Sequence, residues 1–353
     1  MYAEIPFWLS LVFILGGLAA LAWSSDLFID GAAALARAIG ISPFIVGMVI
    51  IGFGTSAPEL CVSAMSGFSG HSSLSLGNAY GSCSFNIAVI LGVAALICPL
   101  VVKPGVAWGA GPLLALISLI SFGLLRDGVC SRGEAFVLLA AFFVLLPIYC
   151  WFDQRSKRKE VSAESLSESS ASGADAATKV SLWVCVFKLL VGLGVLVASS
   201  HFLVWGAVDF AKFLGVSDLV IGLTVVAVGT SLPELASAVA AARRGEHEFV
   251  LGNIVGSNLF NMLGVVGVAT ALSPIVSKCP VHGGFSPYIV TRDIPLMIAL
   301  SVSITLFGVN WRQVKASGVI RRVEALFWLF VFVAYTVLMF YQETQGHVQC
   351  NCN

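Results

Sequence analysis

Charge is what this 353-residue chain has least of: Asp, Glu, Lys and Arg make up 11% of it, against 58% hydrophobic residues. Soluble domains carry about 25% charged residues, so a water-solvated globule is excluded and a bilayer is the fitting solvent. Nineteen Lys and Arg balance nineteen Asp and Glu, which leaves no net field to attract nucleic acid or an acidic partner. No Lys or Arg precedes Arg37. The first apolar run therefore lacks the basic flank of a secretory signal and reads as a retained span. No two of the nine cysteines have metal-type spacing before Cys350 and Cys352, and most read as buried small hydrophobes.

What is present is apolar sequence in long runs. A membrane helix takes about 20 predominantly apolar residues. About ten such runs lie between Phe7 and Tyr341, centred near residues 15, 52, 87, 116 and 143, then 191, 228, 263, 299 and 332. These predict an all-α integral membrane protein of ten transmembrane helices. Fourteen Lys and Arg, among them Arg37, Lys103, Arg155, Arg243 and Arg312, fall on one set of connections; Arg126, Arg132, Lys212, Lys278 and Arg292 fall on the other. Basic residues stay cytoplasmic, so both termini are expected outside and the connection 153–180 inside.

Sliding the chain against itself by 175 residues aligns Phe44–Pro99 with Leu219–Pro274 without a gap, and 19 of the 56 positions are identical, including GTSxPEL and GNxxGSxxFN. With five spans in each copy, an odd number, the second copy must enter the membrane from the opposite side. Two inverted five-helix repeats are expected, residues 1–152 and 181–345, with a binding site at mid-membrane between them. Residues 153–180, basic and then Ser/Ala-rich, read as a mobile cytoplasmic linker and solvated spacer.

The second and seventh spans carry the unusual residues. A charge at the bilayer centre costs about 2.5–3.5 kcal/mol or more, so Glu59 and Glu234 need compensation. A single such carboxyl is readily explained as packing glue, but two at equivalent positions of inverted copies point to a shared site. Pro58 and Pro233 cannot return an N–H to the carbonyls of Gly54 and Gly229, and Gly52, Gly54 and Gly229 make unwinding cheap; both helices are expected to be broken. Thr55 and Glu59, like Thr230 and Glu234, are four apart and share a face where helical geometry persists, with Ser56 and Ser231 beside them. In the following spans Ser82 and Asn86 match Ser257 and Asn261, and Gly77, Gly81, Gly252 and Gly256 allow helices to approach closely. Carboxylates, amides, hydroxyls and carbonyls without a thiol or imidazole set are ligands for a hard cation, calcium or sodium. Two glutamates balance one calcium, and protons are expected to compete for them.

Asp26 and Asp30, with His201 and Asp209, do not match under the same offset. They read as interface or pathway groups, or equally as helix ends and solvated faces.

GFGTSAPEL (52–60) with GNAYGSCSFN (77–86), and AVGTSLPEL (227–235) with GNIVGSNLFN (252–261), resemble the cation/calcium exchanger superfamily, most of all its bacterial calcium/sodium antiporter branch. The resemblance extends more weakly over most of the chain. It implies ten helices in two inverted repeats exchanging sodium for calcium by alternating access, with no cofactor, in a bacterial inner membrane. It makes Glu59 and Glu234 the central carboxylates and Thr55, Ser56, Thr230 and Ser231 side-chain or backbone ligands. Ser82 and Ser257 would line sodium sites, the carbonyls of Gly52 and Ala227 would add oxygens, and Asn86 and Asn261 occupy the third-span and eighth-span positions. Several branches place an aspartate at the position of Asn261, so stoichiometry and counter-ion stay open. Proton/calcium exchange is the nearest alternative, and a cation channel or an intramembrane hydrolase lies further off.

Overall fold

The computed structural model describes residues 6–68, 72–167, 181–214, 227–274, 288–314 and 316–345. The helices are α1 (Phe7–Ile39), α2 (Pro43–Thr55), α3 (Ala57–Phe68), α4 (Ser75–Ile97), α5 (Pro104–Leu125), α6 (Arg132–Ser167) and α7 (Leu182–Phe213), then α8 (Ala227–Thr230), α9 (Leu232–Arg243), α10 (His247–Leu272), α11 (Ile289–Gly308) and α12 (Arg322–Gln345). Eight helices among the described residues are long and apolar enough to span a bilayer, or nine if α2 and α3, bent by 45°, count as one. The first part of the run expected near residue 228 falls on residues 215–226, outside the described residues, and the rest is α8 and α9.

Two features depart from the expected pattern. Strands β1 (Leu100–Val102) and β2 (Gly318–Ile320) pair antiparallel, joining the α4–α5 and α11–α12 connections, so the chain is not wholly helical. The linker is helical in its first part, because α6 runs on through Ser167. Its Lys, Arg, Glu and Ala residues are good helix formers, and a helix already nucleated by the membrane span propagates at little cost.

Layering follows polarity. The central helix α10 has its whole apolar window buried, whereas α6 and α12 bury 11% of theirs and turn Phe143, Trp151, Phe330 and Val337 outward. Beside that core α1 and α7 cross closely at glycines. A Cβ on Gly17 would sit 2.9 Å from Leu203, and one on Gly192 would sit 2.7 Å from the Phe28 backbone. One on Gly31 would meet Leu189, and one on Gly206 would meet Ser10, Phe13 and Ile14. Adding 175 turns Gly17 into Gly192, Phe28 into Leu203, Gly31 into Gly206 and Ile14 into Leu189. Contacts in this crossing thus come in reciprocal pairs, the signature of an approximate twofold axis between two copies of one unit.

Asp26 and Asp30 on α1 both meet Arg244 at the end of α9, with Arg244 Nη2 3.3 Å from Asp26 Oδ1. These side chains are partly exposed, so the contact is worth at most about 1 kcal/mol, and it gives the two aspartates an interface role. His201 is exposed on α7 against Phe202, and Asp209 is buried on the same helix.

Candidate functional site

The helix that begins at Pro43 breaks at Ser56, where φ is −83° and ψ is 7°; Ser231 adopts φ −91° and ψ 9° at the matching point. Each chain resumes a helix one residue later with proline second, at Pro58 and Pro233. A missing N–H costs nothing at a helix start. The restart also places Glu59 and Glu234 in the first turn of α3 and α9, where the positive end of the helix dipole favours a carboxylate. Breaking the helix therefore helps to make a buried glutamate tolerable at these two positions.

Both glutamates are 0% exposed, so neither faces lipid. Ser56 Oγ donates to Glu234 Oε1 at 2.8 Å, and Ser231 Oγ donates to Glu59 Oε1 at 3.1 Å. Each motif's serine serves the other motif's glutamate. Thr55 approaches Glu234 and Thr230 approaches Glu59 in the same crossed manner. The expectation that Thr55 shares a face with Glu59 holds only where helical geometry persists, and the helix is interrupted between them at Ser56. Thr55 Oγ1 donates to the Ile51 carbonyl at 3.0 Å.

The glycines also act differently from expectation. Gly52 is helical (φ −59°, ψ −44°) rather than unwound. A Cβ there would lie 2.8 Å from the Ser257 amide nitrogen, so glycine is present because α10 passes against it. The Gly52 carbonyl accepts from Ser257 Oγ at 3.2 Å. The Gly229 carbonyl, freed by Pro233, accepts from Ser200 Oγ at 3.0 Å, so a hydroxyl of α7 already answers it. Ala227 opens the described part of its segment.

Ser82 Oγ lies 3.4 Å from Ser231 Oγ, which places it at the Glu59 side of the site. Asn86 Nδ2 donates to Asn258 Oδ1 at 3.0 Å, while the Cys83 thiol faces Asn261. These two contacts exchange under the 175-residue offset. Cys83 and Asn258 are themselves offset partners and touch, Cys83 Sγ donating to the Asn258 carbonyl at 3.8 Å. The axis passes between them. Asn78 Nδ2 donates to the Glu59 carbonyl (3.3 Å) and Ser63 Oγ (3.1 Å); Asn253 Nδ2 donates to the Glu234 carbonyl (3.3 Å) and Ser237 Oγ (3.0 Å). Sequence reasoning missed this supporting pair, although both stand in the repeated GNxxGS motif. It also missed Cys83, whose place beside Asn261 no local pattern announces.

Glu59 Oε2, Glu234 Oε2, Asn86 Oδ1 and both polar atoms of Asn261 are buried without a hydrogen-bond partner among the described residues. Leaving such groups unmet costs about 1–3 kcal/mol each, and more when charged. A bound cation would satisfy the oxygens. Two carboxylates with neutral oxygens around them are ligands of the kind hard cations take.

The profile of the family described as "Sodium/calcium exchanger protein" matches residues 9–151 and 184–341, most of the chain. The chain belongs to the sodium/calcium exchanger family. CaxA of Alkalimonas amylolytica is 36% identical over 329 residues, covering 93% of this chain and 98% of that protein. Inner membrane protein YrbG of Escherichia coli is 32% identical, covering 88% and 91%. The fold is similar to that of the sodium-calcium exchanger NCX_Mj soaked with sodium and strontium, with a TM-score of 0.77 and 27% identity, covering 94% of this chain and 99% of the other. This exchanger is thus an integral membrane transporter of the cation/calcium exchange class.

The crossed serine bonds make a symmetric prediction. Ser56→Ala and Ser231→Ala each remove one hydrogen bond to a carboxylate, worth about 1.5–3 kcal/mol. Each should weaken the apparent calcium affinity about tenfold or more by that measure. Calcium titrations of initial uptake rate should show two effects of similar size, and a much smaller loss for either variant would dismiss the serines as ligand-positioning groups.

Proposed function

We propose that this exchanger moves calcium against sodium by alternating access at a single mid-membrane site built around Glu59 and Glu234. The carrying observation is the crossed arrangement, in which each buried glutamate holds one oxygen on the opposite repeat's serine and leaves the other unpartnered. Ser56, Ser231, Thr55, Thr230 and Ser82 supply hydroxyl oxygens, Asn86 and Asn261 supply amides, and Ser257 fixes the Gly52 carbonyl. The carbonyls of Gly52 and Ala227 complete the proposed set. An empty pair of like charges in low dielectric repels itself strongly, so the loaded site is the favoured traveller. That favours obligatory exchange over leak.

The architecture that fits is ten helices in two inverted repeats, residues 1–152 and 181–345, joined by 153–180, with the second and seventh spans broken. Reciprocal contacts at three levels support it: Gly17 and Gly192, Ser56 and Ser231, Asn86 and Cys83. We place the chain in a bacterial inner membrane with both termini outside, on the distribution of Lys and Arg and its similarity to YrbG.

The deciding experiment is calcium-45 uptake into sealed vesicles with sodium, potassium and pH gradients imposed one at a time. Uptake driven by sodium at clamped pH is expected. Uptake driven by a pH gradient alone would select proton/calcium exchange instead.

Asn261 brings no charge where a third carboxylate could stand. Asn261→Asp should add about one monovalent cation or proton per cycle, because a third negative charge in low dielectric must be neutralised. The sodium or protons moved per calcium, read from paired fluxes, should rise by about one; an unaltered count would remove Asn261 from the site.

A further inference from the structure

We infer that the exchanger holds one zwitterionic, amine-headed phospholipid in a groove between α2, α5 and α6, remote from the ion site. The groove has a volume of about 700 Å³ and is open along one side. Its floor is the α5 stripe Gly105, Gly109, Pro112 and Leu116, and Tyr149 and Phe152 of α6 form one wall. Leu116 and Phe152, on membrane-spanning helices, are 51% and 60% exposed, so the open side faces the bilayer. From Lys103 to Leu116 the stripe extends about 20 Å at 1.5 Å per helical residue, about the depth of one leaflet. An acyl chain is the occupant of matching length and polarity.

The mouth selects the head group. Lys103 forms an ion pair with Glu248 there, and both line the groove. Lys103 caps α5, whose start carries no acidic residue in its first turn. Pro104 has no N–H and the Val106 and Ala107 amides bond the Lys103 carbonyl, so the phosphate contact at this mouth is the Lys103 ammonium, with the Gly105 amide beside it. Glu248 offers a carboxylate to a second, cationic group a short distance away. A head group with a phosphate and a primary ammonium complements both members of the pair, whereas a purely anionic head group meets Glu248 with like charge. Glu248 lies in the first turn of α10, the helix that carries Ser257, Asn258 and Asn261. Lipid exchange at this mouth therefore bears on the same rigid element that forms one wall of the ion site.

The test uses the full chain purified in mild detergent from membranes containing phosphatidylethanolamine and phosphatidylglycerol, followed by native mass spectrometry. Retention of one phosphatidylethanolamine is expected, and phosphatidylcholine, whose methylated nitrogen donates no hydrogen bond, should displace it poorly. Gly105→Leu fills the groove: no described atom lies within 4 Å of a Cβ built there, and leucine is the better helix former. Occupancy should fall at least about fivefold in that variant, the ratio expected once chain contacts worth more than a kcal/mol are lost. Lys103→Gln should lower it as well and reduce the preference for phosphatidylethanolamine over phosphatidylcholine. Full retention in a folded, monodisperse Gly105→Leu variant, retention of phosphatidylglycerol in preference, or an adventitious additive only would each overturn the proposal.

Discussion

Glu59→Gln and Glu234→Gln should each abolish calcium uptake to the level of protein-free vesicles. A unit charge 4 Å from another is worth about 4 kcal/mol at an effective dielectric of 20, and calcium carries two charges. Replacing one carboxylate by an amide therefore removes at least about a thousandfold in calcium affinity. The two variants should fail alike, because each glutamate holds the same crossed position: Ser231 on Glu59, Ser56 on Glu234. They should nevertheless fold. Glutamine keeps the volume and still accepts from serine, and it removes one of two like charges buried together. Calcium should raise the melting temperature of the wild type, as any ligand of the folded state does, and leave both variants unmoved. Uptake within about tenfold of wild type in either variant, a loss of less than 1.4 kcal/mol, would sink the paired-carboxylate site.

Much of this was legible in the sequence because its strongest signals do not depend on tertiary detail. Long apolar runs report the bilayer, and the repeat of GTSxPEL at an offset of 175 residues reports two copies of one unit. The burial of Glu59 and Glu234 follows from those two facts, and the structure buries both fully. What could not be read is how the copies face each other. Periodicity relates residues within one helix, so it could set Thr55 near Glu59 but could not show that Thr55 approaches Glu234 across the two copies. Gly52 looked like a hinge because glycine in a helix is costly. Only the passage of α10 shows it to be a contact point. The supporting amides Asn78 and Asn253 stood in the repeated motif, but a single asparagine in a membrane helix does not reveal whether it meets a ligand or a backbone carbonyl. Arg244 lies 214 residues from Asp30, and no local pattern could join them.

The second large effect concerns packing. Gly256→Ala should cost both stability and transport, although it adds a single methyl group. A Cβ at Gly256 would be driven into the Met48 carbonyl, and Gly252 meets the Phe44 carbonyl in the same way. Neither obstacle is a side-chain end that can swing aside. Overpacking costs about 1–3 kcal/mol where neighbours can adjust, and here the neighbour is the backbone of α2, so the upper end is expected. The only relief is for α2 and α10 to part. Parting them stretches the bond from Ser257 Oγ to the Gly52 carbonyl, now 3.2 Å, and carries Asn258 and Asn261 away from Asn86 and Cys83. The ion site would thus lose its geometry without losing a single ligand. Gly16→Ala is the control: it lies mid-helix in α1 with no described atom within 4 Å of a built Cβ, and should be neutral or stabilising by up to about 1 kcal/mol. Thermal melts of the two purified variants, with calcium titrations of uptake, separate the cases. The fall in melting temperature should accompany at least about a tenfold loss of calcium affinity in Gly256→Ala, equivalent to 1.4 kcal/mol. A destabilised protein that still binds calcium normally would mean that the α2–α10 contact holds the fold but does not set the site.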